Sequence, residues 1–285
     1  MPPTRVDATR PDAVGLAALP RVGRVSGDVY YEELGEGRYR PTIHVQGAWN
    51  DDEQHMSPVA GLLAHAVEVH DPRPELQLSR ITYDILGFIP LAQSHVRVRT
   101  LRPGRTIELV EATMEVAGRD VVRATAWRLR RQDTTAVEGG QIPPLPGPDV
   151  MPLWGFRSVW VGGYIATMHG RRDEDSRPGR AKAWIRSDVH LLDGEAVSPT
   201  AQFLRLVDTA NGIATREDPR QWVFPNIDLT VHLLRQPEGE WVGFDTTVSF
   251  GPSGLGLTSS WLHDQSGPVG RVEQALTVRP NPEPA

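Results

Sequence analysis

The chain has 285 residues, a formal net charge of −6 and no cysteine. That length fits one large domain or two small ones. The missing cysteines exclude a disulfide framework, a thiolate nucleophile and a cysteine metal site, and fit a reducing cytoplasm. The acidic balance argues against nucleic-acid binding, which needs a basic footprint. No apolar run approaches the roughly 18 residues of a membrane span, and the first dozen residues lack the pattern of a signal peptide.

Residues 1–27 read as an extended arm with little pattern. Val29, Tyr30, Tyr31, Tyr39, Ile43 and Val45 then predict two short strands, 28–34 and 37–49, around the turn Gly35-Glu36-Gly37. Asp51-Asp52-Glu53-Gln54 is a polar loop. Ser57 and Pro58 carry a cap-plus-proline helix start, followed by Val59, Leu62, Leu63, Ala66 and Val67 at helical spacing up to His70-Asp71-Pro72. Strands are expected over 76–90, 95–101, 106–116 and 121–130, and much of 96–100 and 123–130 alternates apolar with charged residues, as strands with one wet face do.

Five prolines and four glycines within 139–155 mark a linker. Beyond it the spacing predicts a strand over 158–169, a charged tip at 171–175 and a strand over 179–187. One helix over 198–214 and strands over 222–234, 241–250, 256–263 and 270–278 follow. The helix opens on Ser198 and Pro199, and Phe203, Leu206, Val207, Ala210, Ile213 and Ala214 form its apolar arc. At about 100° per residue, Asp208 falls just outside that arc and Asn211 inside it. The wheel leaves Asp208 with two readings, a solvated carboxylate or one facing a cleft.

The second half repeats the first. Gly37-Arg38 matches Gly179-Arg180, Ser57-Pro58 matches Ser198-Pro199, and Arg123 matches Arg271. Each half reads as strand, helix, then four strands, an α+β unit whose helix is buried against a curved antiparallel sheet. In this alignment Asp208 stands opposite Val67, Asn226 opposite Ser79 and Gln274 opposite Ala126. A site built from Asp208, Asn226 and Gln274 would therefore belong to the second half; the plainer alternative puts some of them on a strand's wet face.

Three stretches, Leu206–Asn211, Asn226–Leu233 and Gly270–Leu276, together with Gln54–Leu63, resemble the acyl-CoA thioesterase family of double hotdog fold, the type-II, TesB-like thioesterases. The resemblance covers roughly 28–280. It implies two tandem hotdog units, 28–138 and 156–280, joined by the linker 139–155, with a tail over 281–285 and the site in the second unit. It also implies hydrolysis of an acyl-CoA or acyl-carrier thioester without metal or cofactor, with Asp208, Asn226 and Gln274 orienting and activating a water. Asn226 departs from the family, where a hydroxyl residue is usual. Met56-Ser57 departs too, standing where paired glycines are common. His55, Ser57 and Arg235 are the expected substrate-binding residues, and Arg216, Arg220 or Arg235 is expected to meet the phosphates of coenzyme A. Exposed sheet edges suggest a homo-oligomer.

Other chemistries find little support. There is no Gly-x-Ser-x-Gly elbow and no His-Glu-x-x-His, and His65 and His70 do not share a helix face. Gly251–Gly256 reads as a hairpin turn. Two alternatives stay open: a non-catalytic acyl-binding protein, and a hotdog hydratase or dehydratase. The second is disfavoured because the second helix carries no histidine.

Overall fold

The turn glycines and the alternating runs of the first half produce a meander wrapped around one helix. The computed structural model describes residues 28–282, so the expected arm and the last three residues lie outside the described residues. Strands β1 (Val29–Gly35) and β2 (Arg38–Pro41) lead through a 3-10 turn at Ile43–Val45 to helix α1 (Met56–Val69). β3 (Leu76–Ile85), β4 (Ser94–Arg102), β5 (Ile107–Val116) and β6 (Arg119–Arg130) follow. Residues Met56 to Val67 are all buried, which requires an apolar sequence on every side of the helix. At its C-terminal end the Arg128 guanidinium, paired with buried Glu108, donates to the carbonyls of Val67 and His70 at 3.3 and 3.0 Å. A cation there satisfies carbonyls that have no partner within the helix.

α1 starts differently from expectation. His55 is the N-cap, its Nδ1 accepting from the Ser57 N–H, and Ser57 and Pro58 lie inside the first turn. A neutral imidazole nitrogen does here what a cap hydroxyl usually does.

The second half departs further. The expected strand over 158–169 is a 3-10 turn at Phe156–Ser158, a short helix α2 (Gly163–Ala166) and the start of β7 (Met168–Arg172). The cause is Gly162, held at φ 109° with its Cα so close to the Gly47 carbonyl that a Cβ would sit 2.1 Å from the oxygen. β8 (Arg180–Ser187) and β9 (His190–Leu192) precede helix α3 (Pro199–Leu204), which Ser198 caps as expected.

The single helix expected over 198–214 is broken. After α3 comes a 3-10 turn at Val207–Thr209 and then α4 (Ala210–Ile213). At the crossing with α1, a Cβ on Gly61 would lie 2.5 Å from Arg205 Cβ and 3.0 Å from the Ala201 carbonyl oxygen. Just past that contact the Tyr164 hydroxyl approaches the Arg205 carbonyl at 3.4 Å, and the Thr209 N–H bonds instead to Leu206 O at 3.2 Å. A 3-10 turn winds about three residues per turn rather than 3.6. The angular arithmetic of a regular helix therefore misplaces Asp208, which is turned inward and only 5 % exposed.

β10 (Trp222–Val223), β11 (Asp228–Leu233), β12 (Val242–Phe250), β13 (Leu255–Asp264), β14 (Gly267–Thr277) and β15 (Arg279–Pro280) complete the chain; β10 pairs only with β15. The other thirteen strands form one sheet in the order β7-β8-β12-β13-β14-β11-β3-β6-β5-β4-β2-β1-β9. Apart from β9, which runs parallel to β1, that order is a palindrome of the two halves. They meet antiparallel at β11 and β3, with Thr230 opposite Thr82. One continuous core spans both halves. No helix among the described residues is long and apolar enough to cross a membrane.

Gly61→Ala is expected to destabilise the protein by about 1–3 kcal/mol through overpacking at the helix crossing, despite the roughly 1 kcal/mol that alanine gains in helix propensity. Urea unfolding checks this; a midpoint at or above that of the wild type would contradict the close-approach argument.

Candidate active site

Breaking the second helix delivers Asp208 to the wall of a pocket of about 360 Å³. Both halves line it. Trp49, Glu53, His55, Met56 and Phe88 come from the first, and Trp154, Trp160, Asp208, Thr209, Asn211 and Asn226 from the second. Its size and its mixture of aromatic walls with a few polar groups are those of a small-molecule site.

Asp208 is held by two amides. Asn226 Nδ2 and Gln274 Nε2 each donate to its Oδ1 at 2.8 Å. The sheet places both donors: Asn226 lies beside Leu276 of the same meander, and Asp228 Oδ1 accepts the Ala275 N–H at 2.6 Å, tying β11 to β14. The three expected catalytic residues thus come together, with one difference in what they touch. Gln274 is fully buried and lies behind Asp208, outside the pocket wall. It and Asn226 direct their N–H groups to the carboxylate. Oδ1 is saturated by two donors, so Oδ2 is the oxygen left for a reacting partner. The buried Asn211 Oδ1, also on the pocket wall, has no protein hydrogen-bond partner.

Burial sets the proton affinities. Desolvation pushes Asp208 up from 3.8 to about 6, against the lowering effect of the Asn226 and Gln274 bonds. The same cause pushes His55 down to about 3, so its imidazole is neutral near pH 7. Its Nδ1 accepts from Ser57, which puts the ring proton on Nε2. His55 Nδ1 and Asp208 Oδ2 are 3.7 Å apart. That is beyond hydrogen-bond range, and the neutral ring makes no ion pair. The imidazole packs on the Tyr164 ring, centroids 4.1 Å apart, and Tyr164 Oη bonds Thr209 Oγ1 at 2.8 Å.

The other expected substrate-binding residues fare differently. Ser57 is fully buried with its Oγ 3.5 Å from Thr209 Oγ1, and it meets the pocket only through the N–H that orients His55. Arg235 is not on the pocket wall. Its guanidinium grips buried Asp264 with both nitrogens, at 2.6 and 2.5 Å, and also donates to Gly267 O. It fastens a hairpin, and a free phosphate would have to displace that pair.

Among the described residues the first half has no equivalent site. Counted from the caps His55 and Ser198, Asp208 corresponds to His65 rather than Val67. Leu78, not Ser79, holds the place of Asn226 in the first half: it pairs with Arg128 on β6 as Asn226 bridges to Leu276 on β14. Tyr164, Thr209, Glu53 and the three tryptophans of the pocket were not singled out from sequence. Thr209 and Asn211 were adjacent to Asp208 on the helix pattern; nothing local marked Tyr164.

Residues 45–129 match the acyl-CoA thioesterase N-terminal domain and residues 140–278 the acyl-CoA thioesterase C-terminal domain. No curated protein matches the sequence. Among solved structures, a hot dog protein of unknown function from Alicyclobacillus acidocaldarius superposes with a TM-score of 0.70 at 16 % identity, covering 85 % of this chain and 92 % of its own. The tesB protein of Mycobacterium avium subs paratuberculosis gives 0.64 at 16 %, covering 88 % and 96 %. Acyl-CoA thioesterase II TesB2 of Mycobacterium marinum gives 0.61 at 15 %, covering 88 % and 95 %. At such identities these neighbours show the hotdog fold.

Asp208 makes a pH-dependent contribution to stability. With a folded value near 6 and an unfolded one near 3.8, the native state holds the extra proton between them, so stability falls as pH rises through that window. Asp208→Asn keeps an acceptor for both amides and removes the buried charge. It is expected to unfold at higher temperature than the wild type at pH 8, by an amount of order 2–3 kcal/mol, with the gap closing near pH 4. Calorimetry across pH checks it; a variant less stable at pH 8 would contradict the desolvation argument.

Proposed function

The chain belongs to the acyl-CoA thioesterase family, and we propose that its pocket hydrolyses an acyl thioester with a water activated at Asp208. The observation that carries this is the carboxylate whose one oxygen is saturated by two amide donors while the other faces the pocket. A base works best when its proton affinity lies near the working pH, and a value of about 6 suits that role. The palindromic strand order supports two hotdog units in tandem, 28–138 and 156–280, with 139–155 as linker.

Asp208 Oδ2 takes a proton from water as the water oxygen bonds to the thioester carbon. The carbonyl becomes an oxyanion, which accepts from His55 Nε2–H and from the backbone N–H of Met56, the pocket-lining first residue of α1, where the helix dipole favours negative charge. Collapse breaks the carbon–sulfur bond. The thiolate leaves with the proton held by Asp208, and the products are a free acid and the carrier's thiol. Asn226 and Gln274 act by positioning: they fix which carboxylate oxygen is free and keep its affinity from rising further.

The hydratase or dehydratase reading draws on one observation, the proximity of His55 to Asp208. A histidine does reach the site, from the first half. Its protonation works against that chemistry, because Nδ1 is occupied by the Ser57 N–H and Nε2 already bears the proton. A ring in that state donates a hydrogen bond and does not abstract a proton from carbon.

Thiol release from acyl-CoA esters of graded chain length tests the proposal. The expected kcat/KM rises about tenfold per pH unit below pH 6 and levels above it. Asp208→Asn should lose at least about a hundredfold in kcat. Gln274→Ala, lacking one donor, should move the rising limb to higher pH. Tight binding of acyl-CoA without turnover of any ester would replace hydrolysis by the acyl-binding reading, and undiminished turnover by Asp208→Asn would remove Asp208 from the mechanism.

A further inference from the structure

Glu53 is the second carboxyl group on the pocket wall, and the water-activating chemistry does not use it. The stretch around it is extended, with Gln54 bridged to Gln46 and Glu53 to Pro90. Glu53, Gln54 and His55 all line the pocket. The Gln54 amide is engaged, accepting from Tyr31 Oη at 2.9 Å and donating to Pro90 O at 2.8 Å. The Glu53 carboxyl accepts the Trp49 N–H. It lies over Gly47, where a Cβ would stand 2.6 Å from Glu53 Cγ and 3.0 Å from Oε1. The glycine thus leaves room for this side chain to fold against the wall.

Its surroundings are apolar. Trp49, Phe88 and Ile89 line the same pocket. Among the described residues no cation pairs with Glu53, and burial raises its affinity from 4.5 to about 7. One backbone N–H leaves most of a carboxylate's acceptor sites unused. A pocket that took only hydrocarbon would incur the cost of desolvating this group without return.

We propose that Glu53 is a specificity residue that accepts a hydrogen bond from an O–H or N–H group carried by the bound thioester. This rests on the reading that the pocket takes an acyl thioester. Two parts of such a ligand can supply the donor: a hydroxyl on the acyl chain, or an amide of the pantetheine arm of the carrier.

The test is equilibrium binding of hydrolysis-inert thioether analogues to the full chain. The panel pairs a plain and a hydroxylated acyl chain, each on coenzyme A and on the short thiol N-acetylcysteamine. Glu53→Leu is expected to weaken binding of donor-bearing ligands roughly ten- to a hundredfold. Glu53→Gln, which keeps an acceptor oxygen and guards against loss of fold, should weaken it less. A loss specific to the hydroxylated chain on either thiol puts the donor on the acyl group. A loss common to all four ligands puts it on the cysteamine amide that both thiols carry, and a loss confined to both coenzyme A ligands puts it farther along the carrier arm. Equal affinities of wild type and Glu53→Leu across the panel would overturn the proposal. If no thioether binds the wild type, the acyl-thioester reading falls first and this one with it; turnover plays no part in either outcome.

Discussion

Two helices cross in this protein where there is no room for a methyl group. Gly61 of α1 lets the backbone of α3 come within contact distance at Ala201 and Arg205. From that crossing the rest of the site follows. α3 is pressed against α1 up to Leu204, the chain tightens into a 3-10 turn, and the Arg205 carbonyl faces the Tyr164 hydroxyl. Asp208 swings off the course a regular helix would have given it and enters the pocket. Tyr164 is itself delivered by the glycine pair Gly162-Gly163 packed on the Ile43–Gly47 backbone, and it supports both the His55 ring and the Thr209 hydroxyl.

The site is therefore costly to fold. A carboxyl group lodged away from water, with two amides on one oxygen, holds its proton more tightly than a free aspartate does. Near neutrality it is ionised and short of partners on its other oxygen. The hydrogen bonds from Asn226 and Gln274 moderate that discomfort without removing it. A histidine in the same environment goes the opposite way and stays neutral, which leaves it a hydrogen-bond donor beside the carboxyl group.

The meander strands were legible because alternation of apolar and charged residues reports directly which side of a strand is wet. Val96–Thr100 and Arg123–Arg130 both lie in the strands expected of them. The gathering of Asp208, Asn226 and Gln274 was legible from the repeat and the family resemblance. Periodicity could not report the break after Leu204, since the apolar residues on either side of it still recur at nearly helical intervals. Nor could it report that Gly162 turns a β-like run, Ser158–His169, into a turn and a short helix. Arg235 shows a different limit: a single arginine in sequence carries no sign of whether a buried carboxylate, here Asp264, already claims it. Glu53 reads in sequence as part of a polar loop, because only the assembled Trp49, Phe88 and Ile89 put it on a pocket wall.

The antiparallel seam between β11 and β3, centred on Thr230 and Thr82, has a consequence for how the protein behaves at low abundance. It joins the halves as an isologous interface joins two identical subunits, yet the partners share one chain. A site with His55 on one side and Asp208 on the other would, in a pair of separate subunits, come apart on dilution. Covalent tethering replaces bulk concentration with a fixed effective concentration, so assembly of this pocket is independent of how much protein the cell contains. It also frees each half to change without its twin: His65 and Leu78 on one side, Asp208 and Asn226 on the other, are a division of labour that two copies of one gene product could not adopt.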